Sequence, residues 1–237
     1  MVSAFSLVIP AFNEAGRVGQ TLVEVLSYLR EASPASELIV VDDGSTDATA
    51  EVVREALAAA GNIETRLIQR AENLGKGASV REGLLAARHP VGLFSDADLS
   101  TPIAEAPKLL EPIFAGELDV AFGSRALNRR LIGTHQAWHR EQAGRTFNLL
   151  VRVATGLPYW DTQCGFKAFR LDAFRPILDV ATSDGFGFDV ELLYLARKAG
   201  LRMREIPVRW DHHDGSKVHF VHDSLHMLRE VISLRSR

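Results

Sequence analysis

Asp96-Ala97-Asp98 sets two carboxylates two residues apart, directly after the apolar run Val91-Gly92-Leu93-Phe94. Carboxylates so spaced, just past a strand end, can both approach one hard cation. Mg²⁺ takes few protein carboxylates and completes its shell with phosphate oxygens and water. The triplet therefore points to a cation that bridges a nucleotide diphosphate and neutralises a departing phosphate. Ser100 is placed to add a weaker oxygen. Asp42-Asp43-Gly44-Ser45-Thr46-Asp47 forms a second acidic edge. Gly44 suits a turn, and Ser45 to Asp47 suit the start of the next helix. Two adjacent carboxylates at a sheet edge repel, and a ribose or base offering hydrogen-bond donors would account for one of them. Asp43 is assigned that role. Lys76, within Asn73-Leu74-Gly75-Lys76-Gly77, can reach a diphosphate.

Other chemistries find less support. Asn73–Gly77 lacks the four residues that a P-loop places between its glycines, and no G-x-G-x-x-G follows the first apolar run. No G-x-S-x-G marks a serine hydrolase. Five of the eight histidines, His212, His213, His219, His222 and His226, cluster near the end. His222 and His226 have zinc-ligand spacing, but no H-E-x-x-H pattern joins them, and a solvated or membrane-facing cluster is the preferred reading. A single cysteine, Cys164, excludes an internal disulfide and a multi-cysteine metal cage.

The elements that must carry these residues alternate. Phe5–Ile9, Leu38–Val41, Arg66–Gln69 and Val91–Phe94 read as strands. Helices are expected from Val18 to Leu29, with Asn13 as its cap, from Asp47 to Ala60, and from Gly77 towards His89. This order predicts an α/β fold, a mostly parallel central sheet with helices on both faces. Ligands of such sheets lie beyond the carboxyl ends of the strands. Asn13-Glu14, Asp42-Asp43 and Asp96–Asp98 all fall there. Further on, a strand at Asp119–Gly123, helices around Phe147–Val151 and Asp189–Lys198, an edge strand at Ile206–Trp210 and a terminal helix from Asp223 to Leu234 are expected.

The 237 residues are 46% hydrophobic and 24% charged, as for one soluble domain. The net charge of −3 hides an asymmetry: residues 1–119 carry 9 basic and 18 acidic side chains, residues 120–237 carry 18 and 12. Nothing in this balance argues for nucleic acid. The longest stretch without Asp, Glu, Lys or Arg is residues 1–13, too short to span a bilayer. With no basic leader or cleavage site at the start, a cytoplasmic location is the default expectation.

Val8-Ile9-Pro10-Ala11-Phe12-Asn13-Glu14, Val41–Asp47 and Asp96-Ala97-Asp98 together resemble the signature edges of inverting family 2 glycosyltransferases with the GT-A fold. Asn73–Gly77, Gly123-Ser124-Arg125 and Gly215-Ser216-Lys217 resemble the dolichyl-phosphate sugar synthases within that family. Asp161-Thr162-Gln163-Cys164-Gly165-Phe166-Lys167 resembles the β-glucosyl branch. The mannosyl branch usually has arginine where Asp211 stands, after Trp210. The resemblance implies a UDP-glucose donor, with GDP-mannose as the alternative. It further implies a donor pocket of Pro10, Phe12, Glu14, Asp43, Lys76, Asp96, Ala97 and Asp98. Asp96, Asp98 and Ser100 would hold Mg²⁺ or Mn²⁺, although the family often has Gln where Ser100 stands. Arg125 and Lys217 would complete the donor site by contacting its phosphates, with Asp98 and Arg125 as the catalytic groups.

The implied acceptor is a polyprenyl or dolichyl phosphate, already largely ionised near neutral pH because the second phosphate pKa is about 6. Arg129, Arg130, Arg140 and Arg145 are candidates to gather it. On this reading one domain has two halves, residues 1–119 for the nucleotide sugar and 120–237, with the C-terminal helix, for the acceptor. That helix could lie on a membrane, on the sheet, on a second copy, or on a membrane-protein partner. A saccharide or protein hydroxyl as acceptor would instead need a base, for which Asp161, Asp184 and Asp189 are available. A sugar nucleotidyltransferase is disfavoured by Pro-Ala-Phe-Asn-Glu after the first strand. A non-catalytic UDP-sugar-binding module is disfavoured by the intact Asp96 and Asp98.

Overall fold

The computed structural model describes residues 2–134 and 138–213. The first half alternates as expected: β1 (Ser6–Ala11), α1 (Val18–Ala32), β2 (Glu37–Asp42), α2 (Thr49–Ala58), β3 (Glu64–Gln69), α3 (Lys76–Ala86) and β4 (Val91–Ser95). Then come α4 (Ala106–Phe114), β5 (Val120–Ser124), α5 (Trp138–Thr155), β6 (Phe166–Arg170), α6 (Leu171–Val180), α7 (Phe188–Lys198) and β7 (Met203–Pro207). The seven strands form one sheet in the order β3-β2-β1-β4-β6-β5-β7. β1 pairs in parallel with both β2 and β4, while β6 runs antiparallel between β4 and β5.

Every residue of β1, β2 and β4 is buried, which is why these strands read as unbroken apolar runs. Successive side chains feed opposite cores. Leu7, Ile9, Leu38 and Val40 pack with Val18, Leu22 and Val25 of α1 and Leu109 and Leu110 of α4. Val8, Ile39, Val41 and Phe94 pack with Val80 and Leu84 of α3, Phe174 of α6 and Leu193 of α7. Full burial of each such side chain stabilises the fold by roughly 1.5–3 kcal/mol. Between β1 and β4 the strand order reverses, and that point opens a crevice beyond their carboxyl ends.

The structure corrects the reading of Asn13. α1 starts at Val18 without a side-chain cap. Asn13, in a left-handed conformation with φ 52°, turns its Oδ1 to the next loop and accepts from Thr46 N–H at 2.8 Å. Its side chain ties the β1 and β2 loops together instead of starting a helix. The last strand also shifts, to Met203–Pro207, paired in parallel with β5 at the sheet edge. The expected terminal helix, Lys217, His219, His222 and His226 lie outside the described residues.

Candidate active site

A cavity of about 350 Å³ opens at the crevice. The β1 loop supplies Pro10, Phe12 and Glu14, the β2 loop Asp43, the start of α3 Lys76, and the β4 loop Asp96, Ala97 and Asp98. All eight residues expected at a donor pocket in this half of the chain thus line one cavity. Ser100 does not line it. Its N–H donates to Asp98 Oδ1 at 2.9 Å and its carbonyl accepts from Asp211 N–H at 2.8 Å. Between them Leu99 takes the left-handed region, φ 46°, to close this turn.

Lys76 Nζ lies 2.5 Å from Asp96 Oδ1, as an ion pair without an aligned hydrogen bond. Burial pushes the Asp96 carboxyl up and Asp98 adds to the shift, while the Lys76 ammonium opposes it. Burial works against the charge of Lys76, but Asp96 and Asp189 outweigh it and its pKa rises. The surroundings therefore hold Lys76 firmly cationic. A buried carboxylate oxygen without an aligned donor, beside a second carboxylate, is a hard-oxygen set suited to Mg²⁺ or Mn²⁺. Among the described residues no third His, Cys, Asp or Glu joins them, so phosphate oxygens and water would complete a shell there.

Asp43 does structural work as well as lining the cavity. Its carboxylate accepts from the N–H groups of Leu74 at 3.0 Å and Gly75 at 2.8 Å, and from Arg70 at 2.9 Å. It thereby fixes the loop that carries Lys76. Gly75 has φ 108°, and a Cβ there would come within 2.3 Å of the Asp184 carbonyl, so only glycine fits this turn.

A second cavity, about 650 Å³, is lined by Arg125, Arg129, Arg145 and Arg152 together with Leu127, Leu149, Trp160 and Trp210. Arg125 therefore stands in this wall and not in the first. Its guanidinium donates twice to Asp161 and sits 5.6 Å from the Trp210 ring. Burial disfavours the guanidinium, but Asp161 and, further off, Asp96 more than offset that and raise its pKa. Of the other arginines expected at an acceptor, Arg129 and Arg145 line the cavity and Arg130 is exposed outside its wall. Arg140 belongs to α5, and its side chain lies outside the described residues.

The three carboxylates that could serve as a base are all committed. Asp161 pairs with Arg125, Asp189 with Lys167 and Asp184 with Arg81. Cys164 is buried and its thiol is pushed up to about 12, chiefly by burial, so it is no nucleophile at neutral pH.

Residues 6–178 match the profile of Glycosyl transferase family 2. The chain belongs to this family. It is 34% identical to a dolichyl-phosphate beta-glucosyltransferase of Saccharomyces cerevisiae, over 97% of this chain and 73% of the relative. The protein of that name from Drosophila melanogaster is 38% identical over 90% and 68%, and the human one 32% over 98% and 75%. Among solved structures, glucosyl-3-phosphoglycerate synthase of Mycobacterium tuberculosis, crystallised with Mn²⁺, UDP and glucosyl-3-phosphoglycerate, superposes with a TM-score of 0.66. It is 22% identical, covering 98% of this chain and 78% of that one. Such a likeness establishes the GT-A fold.

In this family 2 glycosyltransferase several wall residues escaped the sequence reading. Arg17 and Phe186 line the first cavity, and Arg152 and Trp160 the second. Arg17 could have been found: it stands three residues after Glu14 and pairs with it. Phe186 comes from the loop before α7, more than eighty residues from Asp98, and only the fold brings it there.

Proposed function

We propose that the chain transfers glucose from UDP-glucose to a dolichyl or other polyprenyl phosphate, with inversion at the anomeric carbon. One observation carries this reading: an acidic cavity at the β4 tip is joined to an arginine-lined, partly apolar cavity by the segment 161–165, which accepts the Asp96 N–H at Gly165 and holds Arg125 through Asp161. The first suits a nucleotide diphosphate with its cation, the second an anionic acceptor with an apolar tail. The names of the curated relatives supply the sugar and the lipid.

Asp96 and Asp98 would hold Mg²⁺ or Mn²⁺ on the diphosphate, and the bound ion would supply charge neutralisation as UDP departs. Pro10, Phe12, Glu14 and Asp43 form the nucleoside side of the cavity, and Lys76 stands beside the diphosphate position. Arg125, Arg129 and Arg145 draw in the acceptor phosphate, and Arg152 extends that wall. Arg130 and Arg140 complete the acceptor set proposed from the sequence, and Lys217 is proposed for the phosphates of the donor. The acceptor oxygen is already ionised at neutral pH, so no base need remove a proton. The ion pairs of Asp161, Asp184 and Asp189 fit this, because a hydroxyl acceptor would need one of them released. Attack from the face opposite the leaving diphosphate turns an α-linked donor into a β-linked product.

Among the described residues no helix is long and apolar enough to cross a membrane. Peripheral contact with a membrane, or a partner in it, is the proposed route to a lipid acceptor. The test is product analysis with labelled UDP-glucose and GDP-mannose against a polyprenyl phosphate and a free saccharide. A glucosylated lipid phosphate formed only with Mg²⁺ or Mn²⁺ supports the reading; transfer to the saccharide alone overturns it.

A further inference from the structure

Lys167 carries an ammonium at a position with no solvent exposure. A buried charge is costly unless paired and hydrogen-bonded. Lys167 Nζ donates to Asp189 Oδ1 at 2.5 Å and to the Cys164 carbonyl at 2.6 Å, beside the Phe94 ring. A pair of apolar side chains of similar volume would often stabilise such a site as well or better. Stability alone therefore gives no reason for the ammonium, and its second bond shows what it holds.

The Cys164 carbonyl also accepts from Phe166 N–H at 2.8 Å, so the turn entering β6 is closed twice. The middle residue of that turn is Gly165, and it lies against Asp96. The Gly165 carbonyl accepts the Asp96 N–H at 3.0 Å, and a Cβ on Gly165 would fall 2.0 Å from Asp96 Oδ2. This turn is the back wall of the carboxylate. Four residues earlier the same segment carries Asp161, which grips Arg125. The segment is thus pinned at both ends by ion pairs whose carboxylates are buried.

We propose that Lys167 is a positioning residue for Asp96: by clamping the Cys164 carbonyl it fixes the Gly165 turn, and that turn sets where the Asp96 carboxylate stands. Asp189 holds Lys167 in place and compensates its charge. The inference rests on the reading of Asp96 and Asp98 as the cation-binding pair of the donor site. It adds to that reading a residue that touches neither cation nor sugar. Changes to groups that hold a metal ligand from behind typically weaken metal affinity 10- to 100-fold.

The experiment titrates the full chain with Mn²⁺ in the presence of UDP and reads free Mn²⁺ by electron paramagnetic resonance. The double variant Lys167→Met/Asp189→Leu removes the clamp without leaving an unpaired buried charge, and a thermal melt checks its fold. It should melt near the wild type while its Mn²⁺ dissociation constant rises about 10- to 100-fold. Asp189 also faces Lys76, so Gly165→Ala, which keeps both ion pairs and moves Asp96 directly, should show the same rise. It carries the test if the double variant does not fold. A folded double variant, or failing that Gly165→Ala, with the wild-type constant overturns the role of Lys167. A wild-type chain that binds no Mn²⁺ with UDP overturns the donor reading together with it.

Discussion

Arg125 and Asp161 meet through three hydrogen bonds: the Arg125 backbone N–H at 3.0 Å and Nε at 2.7 Å reach Oδ2, and Nη2 at 2.8 Å reaches Oδ1. Asp161 is itself fixed, since its N–H donates to Glu205 Oε1 at 2.8 Å, and Ser124 Oγ donates to the same oxygen at 2.6 Å. The guanidinium therefore faces the second cavity without freedom to turn. Lysine keeps the charge but cannot reproduce the two-pronged bond. Arg125→Lys should lower transfer by on the order of 100-fold, the cost of misplacing a reacting group such as the acceptor phosphate by about 1 Å. Arg125→Ala should add a stability loss on the order of 3 kcal/mol, because Asp161 is left buried and unpaired. Initial rates and thermal melts check both, and an unchanged rate in Arg125→Lys would remove Arg125 from the reaction.

Asp98 combines two tasks that one substitution can separate. Its Oδ1 accepts the Ser100 N–H and so supports the left-handed turn at Leu99. Asparagine keeps an oxygen for that bond and loses the charge. Asp98→Asn should therefore melt within a few degrees of the wild type, while metal-dependent transfer falls by at least about 100-fold. Asp98→Ala should lose both the turn support and the transfer. Near-normal turnover in Asp98→Asn, measured at saturating Mn²⁺, would contradict the assignment.

The parallel half of the fold was legible because β1, β2 and β4 are buried on both faces and the polar loops follow them directly. The same regularity of strand followed by polar loop brings Glu14, Asp43 and Asp96 to one edge. β6 was not read as a strand, since Lys167 interrupts its apolar run and only Asp189, twenty-two residues away, explains a lysine there. Pro112 inside α4 and Pro176 inside α6 likewise look like breakers, because proline removes a helical hydrogen bond. Asn13 misled for a different reason. Its residue type fits a cap, but which loop it caps depends on the approach of β1 to β2. Arg125 was placed with the donor, yet its partner Asp161 draws it to the neighbouring cavity.

Trp160 offers a way to separate the two cavities. Its ring is 56% exposed, unusual for so large an aromatic, and Arg152 lies 3.8 Å from its centroid. Both line the arginine-rich cavity and neither lines the acidic one. A cation over an exposed aromatic face contributes about 0.5–1 kcal/mol, so the fold should tolerate its loss. Trp160→Ala should raise KM for the polyprenyl phosphate severalfold and leave KM for UDP-glucose unchanged. Steady-state kinetics with each substrate varied in turn would show this. An equal rise in both constants would mean that the cavity does not discriminate acceptor from donor.

Asp119 predicts how the fold responds to acid, away from either cavity. It is almost fully buried at the start of β5, and its two oxygens accept from Arg202 Nε at 3.0 Å, Arg202 Nη2 at 2.9 Å and Arg170 Nε at 2.9 Å. These bonds, those of Arg202 first, outweigh burial and hold the carboxyl well below its ordinary 3.8. A carboxyl depressed in the folded chain contributes stability that is fully present above the unfolded value and lost as pH falls towards the folded one. Asp119→Asn lacks that contribution at every pH. The wild type should therefore resist urea better than the variant at pH 7, by a margin that narrows steadily from about pH 4 to pH 2. The loss approaches about 1.4 kcal/mol for each pH unit in which only the unfolded chain is protonated. Urea midpoints of the two proteins across that range measure the margin. If it stayed constant, Asp119 would titrate alike in both states, and Arg202 and Arg170 would contribute nothing through its charge.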